Sequence, residues 1–261
     1  MAVASSPLVQ GAQNFREVGG YRTRDGRFLR RGRLWRSARL DQLTADDCAV
    51  IAALGIRQIA DLRGSEERRQ WPTNPLLFEQ ANVLSWDLEG PTEEAASSSR
   101  LQTFSGDFSA ARNTMLQVYP KIAEDQVPRL SGLYKAIANA NTPILIHCAA
   151  GKDRTGVAIG LLLDLVGIER SAILADYEVS ERHLDWSRLD LAATLGVTQR
   201  ASETDIPTAL LDAIIRSDRA YLESVFTDIE QRFNSTESFV ESRLGLSQAA
   251  IASIRRHLLE D

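Results

Sequence analysis

The sequence predicts an α/β protein whose mostly parallel central sheet is flanked by helices. Three observations carry that expectation. Short apolar runs at 56–62 and 144–147 alternate with helical segments, as in strands joined by crossover helices. Ile144-Leu145-Ile146 is apolar without alternation, which suits a central strand covered on both faces. Beyond it, Thr155 to Val166 is helical and almost wholly apolar, the mark of a buried helix. The 261 residues are read as a single domain over 1–261, with a candidate helical lid or insert at about 176–205.

The elements follow in order. Gly26 to Ser37 reads as a short hairpin with Gly26 and Gly32 in its turns. Its arginines serve either phosphate binding or a charged sheet edge. Thr44 caps a helix running to Leu54, with Asp47 in the first turn and Gly55 as the stop. Ile56 to Leu62 and Ala81 to Leu88 read as strands. Ser97-Ser98-Ser99, amid Gly90-Pro91 and Gly106, marks a mobile or irregular segment. Helices are expected around 109–119 and 128–140, then the strand Ile144 to His147 and the buried helix, which Gly167 ends. Residues 170–185 and 207–232 read as helical; the break at Leu195-Gly196-Val197 and the polar run to Thr204 raise the lid between them. Within that lid, Tyr177 and Trp186 read as packing residues. Ser247 caps a last helix with Ile251, Ile254 and Leu258 on one face.

Composition narrows the function. Apolar content of 44% and charge of 25% describe an ordinary globular chain. A net charge of −5 argues against nucleic acid as a partner but leaves room for a local basic pocket. Cys48 and Cys148 are the only cysteines, too few for a disulfide scaffold or a zinc cluster, and the three histidines are scattered. No metal and no cofactor are expected. The segment Met1 to Ser6 has no basic region or apolar core of a signal peptide, and no stretch reaches membrane-span length. A cytoplasmic location is the default expectation, with export independent of such a signal left open.

The chemistry concentrates in His147-Cys148-Ala149-Ala150-Gly151-Lys152-Asp153-Arg154-Thr155-Gly156. A cysteine at a strand end, a short loop and an arginine opening a helix make an anion-binding nucleophile site. Backbone N–H groups from Ala149 through Arg154 would converge on phosphate oxygens, aided by the helix dipole. Cys148 would attack phosphorus as a thiolate, and Arg154 would bind two phosphoryl oxygens through its planar fork. Thr155 could hydrogen-bond the sulfur, Gly151 and Gly156 permit close approach, and His147 reads as a residue that holds the loop or tunes Cys148. A nucleotide-binding Gly-x-x-x-x-Gly-Lys-Ser/Thr loop is absent, since Asp153 follows Lys152.

Residues 147–156 resemble the cysteine phosphatase signature His-Cys-x-x-x-x-x-Arg-Ser/Thr. More narrowly, they resemble the atypical tyrosine-specific phosphatases of bacteria and fungi, which have dual or triple specificity. Asn14-Phe15-Arg16-Glu17-Val18-Gly19-Gly20 is similar to that group's Asn-Phe-Arg-Asp-Leu-Gly-Gly segment, with two conservative departures. Arg33-Leu34-Trp35-Arg36-Ser37 and Asp61-Leu62-Arg63 fall in the expected order. The likeness ties about residues 10–180 to the group, the C-terminal helices fitting more loosely. It implies a cysteine-phosphatase-like fold and a lid, and it places Arg16, Arg36 and Arg63 near the pocket, a salt-bridge or surface place being the alternative for each.

Expelling an alcohol or phenol calls for an acid. The resemblance points to Asp153, which could instead hold Lys152 or Arg154 in place, whereas Asp87, after a predicted strand, reads as a turn former or as the acid of a separate loop. Lys152 is expected on the rim, where an ammonium would attract a second phosphate, and the resemblance adds phosphoinositides to phosphoproteins as substrates. The expectation is metal-independent phosphomonoester hydrolysis of phosphotyrosine proteins, and of phosphoserine or phosphothreonine, through a phosphocysteine that releases inorganic phosphate. The alternatives are a phosphoinositide or inositol phosphatase and, from another class, a phospho-ligand binding module that has lost turnover.

Overall fold

A computed structural model describes residues 9–87, 106–188 and 207–260. The chain begins with β1 (Arg16–Val18), β2 (Phe28–Leu29) and β3 (Leu34–Ser37), followed by α1 (Ala45–Ala53), β4 (Gln58–Asp61), α2 (Ser65–Gln70) and β5 (Asn82–Ser85). Then come α3 (Phe108–Asp125), α4 (Val127–Asn139), β6 (Ile144–His147), α5 (Asp153–Leu165) and α6 (Arg170–Val179). α7 (Thr208–Ile215), α8 (Arg219–Phe233), α9 (Thr236–Ser242), α10 (Gln248–Leu258) and β7 (Leu259–Glu260) follow.

The fold is α/β, with a mixed central sheet flanked by helices. Five strands run in the order β1-β3-β6-β4-β5. β1 is antiparallel to β3, and the other three pairings are parallel. All four residues of β6 are buried. Ile144 and Ile146 join the larger apolar cluster with Val157, Leu161 and Phe226, while Leu145 joins the opposite cluster with Cys48, Ile51 and Ile59. The unbroken apolar run therefore feeds two cores by strand alternation. Parallel register aligns Ser37, His147 and Asp61 across three strand ends. Cys148 follows immediately, at the carboxyl edge where open α/β sheets bind their ligands.

Thr44 caps α1 through a reciprocal capping box. Its hydroxyl accepts from Asp47 N at 3.1 Å while Asp47 Oδ2 accepts from Thr44 N at 2.9 Å. Ser247 caps α10 as expected, and Ile251, Ile254 and Leu258 form its buried face.

The expected 26–37 hairpin does not form. Gly26 lies in a turn closed by Thr23 N to Arg27 O at 2.9 Å, and β2 pairs instead with β7. β3 is buried at every position, so it needs cover on both faces and takes a central place between β1 and β6. The helical stretch expected over 207–232 is two helices, because Asp218 caps α8 by accepting from Ala220 N at 2.9 Å. Residues 170–185 shorten to α6 followed by a single 3₁₀ turn, Ser180–His183. α9 was not anticipated; Ser235 caps it, after Asn234 turns the chain in the left-handed region. Ser97–Ser99 and the part of the lid reading beyond 188, Leu195 to Thr204 included, lie outside the described residues.

Candidate active site

The loop after β6 is shaped by what holds its carbonyls. Ala149 O accepts from Arg39 N at 2.9 Å, and Ala150 O from Asn14 Nδ2 at 3.2 Å. Gly151 O accepts from Asn14 Nδ2 at 2.9 Å and from Arg36 Nη2 at 2.8 Å. In a planar trans peptide the N–H points opposite to its C=O. Fixing three successive carbonyls on one side therefore turns the N–H groups of Ala150, Gly151 and Lys152 to the other. Gly151 has φ +65°, and a Cβ there would stand 2.1 Å from Ser37 O, so no larger residue fits against β3. α5 starts at Asp153 and adds its N-terminal donors to the same end of the loop.

Arg16 and Arg36, expected to line the pocket, lie behind the loop. Both are buried, facing the carboxylate of Asp176 on α6. Arg36 Nη1 donates to Asp176 Oδ2 at 2.7 Å. Arg16 Nη2 donates to Asp176 O at 2.9 Å and Ser180 Oγ at 3.0 Å, and its Nη1 donates to Asn14 Oδ1. Burial, with Arg36 alongside, brings the Arg16 guanidinium down to about 9 against the pull of Asp176. Burial alone would push the Asp176 carboxyl up, but the two guanidiniums hold it below the usual carboxylate range.

Arg63 is likewise buried in a salt bridge. Its guanidinium is buried against Asp61, with Nη2 2.7 Å from Oδ2, and further bonds run to Trp71 O and Thr73 Oγ1. His147 Nε2 sits 3.6 Å from the same Asp61 carboxylate, and its Nδ1 lies 3.4 Å from Cys148 O. Burial pushes this imidazole down to about 4 despite Asp61, so it is neutral and serves the loop as a packed support. Burial would raise Asp61, yet the His147 ring and the Arg63 bonds hold its carboxyl below the ordinary range.

Arg154 is aimed by a residue absent from the sequence expectations. Glu67, on α2, accepts from both terminal nitrogens of Arg154, one contact measuring 2.7 Å, and also from Gly64 N at 2.8 Å. Burial pushes Glu67 up, but the Arg154 charge prevails and keeps it ionised. A two-point pair fixes the plane of the guanidinium as well as its position. Cys148 is buried at the base of the loop, and the buried Thr155 hydroxyl has no hydrogen-bond partner among the described residues.

Lys152 departs furthest from expectation. It is fully buried rather than on the rim, and its ammonium donates to Ile214 O and, at 2.9 Å, to Arg216 O at the end of α7. Asp153 Oδ1 lies 3.1 Å from that ammonium and accepts from the Tyr119 hydroxyl, which also bonds the Tyr177 hydroxyl. Both phenols are pushed well above their usual range, first by burial and then by the nearby carboxylate, so they remain neutral donors. Tyr177 is thus a core residue, as expected of packing. Trp186 lies over the Lys152 ammonium, 5.7 Å from nitrogen to ring centre. Asp87 is exposed and bonded to Arg68, one residue beyond Glu67 on α2, so it belongs to the periphery of the Arg154 side.

Comparison with known proteins identifies the family. A family model described as the tyrosine phosphatase family matches residues 7–260. The chain belongs to that family, in its atypical cysteine-based group of tyrosine and dual-specificity phosphatases. It is similar to the triple specificity protein phosphatase PtpB of Mycobacterium tuberculosis, with 30% identity across 99% of this chain and 100% of that protein. A tyrosine-protein phosphatase of Nostoc commune is 31% identical over 58% of this chain and 49% of its own length. Among solved structures, P. aeruginosa TpbA aligns with 72% of this chain and 90% of its own at 16% identity, with a TM-score of 0.30, too low to carry an argument. No described helix is long and apolar enough to cross a membrane.

Proposed function

We propose that the chain hydrolyses phosphomonoesters on phosphotyrosine proteins, with phosphoserine and phosphothreonine as further substrates, through a phosphocysteine intermediate. The observation that carries this reading is the fixing of the Ala149, Ala150 and Gly151 carbonyls to one side, which presents a row of N–H donors on the other. A site with donors fixed before substrate arrives stabilises a phosphoryl group without reorganising. The Cys148 thiolate attacks phosphorus, forming the S–P bond as the P–O bond to the leaving alcohol or phenol breaks. Arg154, held by Glu67, takes two phosphoryl oxygens. The leaving oxygen collects a proton from a carboxylic acid, which we assign to Asp153. Water then attacks phosphorus, giving a proton back to the Asp153 carboxylate as the S–P bond breaks, so inorganic phosphate departs and the thiolate is restored. The unpartnered Thr155 hydroxyl suits donation to that sulfur.

With the Lys152 ammonium engaged by two main-chain carbonyls, the phosphoprotein reading is preferred over the phosphoinositide one. The test follows phosphate release from phosphotyrosine peptides and phosphoinositide vesicles side by side, with and without EDTA. Peptide turnover that is insensitive to EDTA and abolished by Cys148→Ser is expected. Asp153→Asn should slow an alkyl phosphate far more than an aryl one. Turnover by Cys148→Ser at the parent rate would sink the mechanism, and faster release from vesicles would reverse the substrate preference.

A further inference from the structure

We propose that Asp176 is a positioning residue for the phosphate loop, acting through Arg36 and Arg16; this deepens the phosphatase reading and rests on it. Asp176 lies on α6 and is buried. Its carboxylate takes one nitrogen of the Arg36 fork at 2.7 Å, while the other nitrogen of the same fork holds Gly151 O at 2.8 Å. A guanidinium is planar and rigid, so anchoring one arm aims the other. Arg16 completes a second route: it binds the main chain of Asp176 and the side chain of Asn14, and Asn14 holds Ala150 O and Gly151 O. Tyr21 donates to Asp176 Oδ1 at 3.1 Å and fixes the carboxylate in turn. Gly151 O therefore depends on the Asp176 carboxylate through Arg36, while Ala150 O is reached through Asn14 and Arg16 from the Asp176 main chain.

Charge points the same way. Two guanidiniums face one carboxylate behind the loop, which leaves a net positive charge beneath a site that receives a dianion. Space is provided as well. A Cβ on Gly156 would stand 2.9 Å from the Tyr177 ring and 3.7 Å from Arg36 Nη2, so the glycine keeps room for the ring and the fork. Removing Asp176 loosens, and shortening the fork removes, one of the two donors on Gly151 O, which leaves Asn14 to hold that peptide alone. A donor displaced by about 1 Å costs about a hundredfold in rate.

The experiment compares the parent chain with Arg36→Lys, Asp176→Asn and Asp176→Glu. Lysine keeps the charge for Asp176 but has no second arm for Gly151 O. The readouts are the inhibition constant for inorganic phosphate, kcat and KM with p-nitrophenyl phosphate, and the melting temperature. Arg36→Lys and Asp176→Asn should weaken phosphate inhibition at least about tenfold and lower kcat/KM about a hundredfold. Asp176→Glu, which retains the carboxylate, should recover part of both. If Arg36→Lys lowers only the melting temperature and keeps the parent's phosphate inhibition constant and KM well below its melt, the positioning role is overturned. Should Asp176→Asn fail to fold, Arg36→Lys decides alone. A parent chain that neither turns over an aryl phosphate nor is inhibited by phosphate overturns the functional reading instead.

Discussion

Glu67 shows how one side chain can set the geometry of a charged site. Its carboxylate grips both terminal nitrogens of Arg154 and accepts from Gly64 N, so α2 and the start of α5 meet through a single group. Glu67→Gln keeps the volume and one acceptor but removes the charge and one arm of the pair. We expect kcat/KM to fall by about tenfold or more, since orientation of the transition-state fork is lost, while the melting temperature changes little. Steady-state kinetics on the variant check this, and an unchanged kcat/KM would show that Arg154 orients itself. In the sequence, Ser65-Glu66-Glu67-Arg68-Arg69-Gln70 is uniformly polar, and nothing local separates Glu67 from Glu66. Asp176 carried a faint signal, an acid among the buried Ile173, Leu174 and Tyr177 of one helix. Cys148, Arg154 and Thr155 could be singled out as candidates from the sequence because the proposed chemistry needs that spacing. Lys152 was not, because its partners are main-chain carbonyls at Ile214 and Arg216, and residue type says nothing about those.

Among the elements, legibility follows where the determining interactions lie. α1 was readable from end to end, since Thr44 and Asp47 are three residues apart and satisfy one another. Asp47 does more than cap: it also accepts from Gln10 N at 2.7 Å and Gly11 N at 3.0 Å, tying the N-terminal segment to the helix. Thr44→Ala should lower the unfolding free energy by about 1 kcal/mol. Asp47→Ala should cost more, because three main-chain N–H groups lose their acceptor. Urea unfolding measures both, and equal losses would reduce Asp47 to a simple cap partner. β2 and β3 were misread for the opposite reason. Neighbouring strands with a glycine between them look like a hairpin, but β2 finds its partner in β7 at the far end of the chain. Main-chain pairing at that separation leaves no local mark. The break between α7 and α8 was missed although its cap, Asp218, is of a type that starts helices.

At the scale of the whole molecule, the buried His147 couples stability to pH. Its imidazole, ordinarily near 6.5, is held at about 4 in the folded chain. As pH falls, the unfolded chain takes up this proton first. The contribution is whole above pH 6.5 and is lost as pH drops from 6.5 to about 4, by roughly 3 kcal/mol in all. His147→Gln should flatten that limb of the stability curve, which urea midpoints between pH 7 and pH 4 would record. A variant that tracks the parent through this window would mean that His147 titrates as it does in water. The same sheet edge that desolvates His147 buries Cys148 at the base of the loop, so the packing that seats the cysteine also makes the fold sensitive to acid.

The Lys152 ammonium joins the loop to the end of α7 by bonds that water would otherwise make. Loop and helix therefore share one equilibrium: α7 cannot leave its seat without exposing a charge that belongs to the loop. An oxyanion that binds only the assembled loop at a hundredfold excess over its Kd lowers the free energy of that state by about 2.7 kcal/mol. By linkage, the same amount is added to the cost of any α7 departure that dismantles the loop. Occupancy of such a site would thus be felt by a helix that begins more than fifty residues downstream of Cys148, as a change in how often that helix lets go.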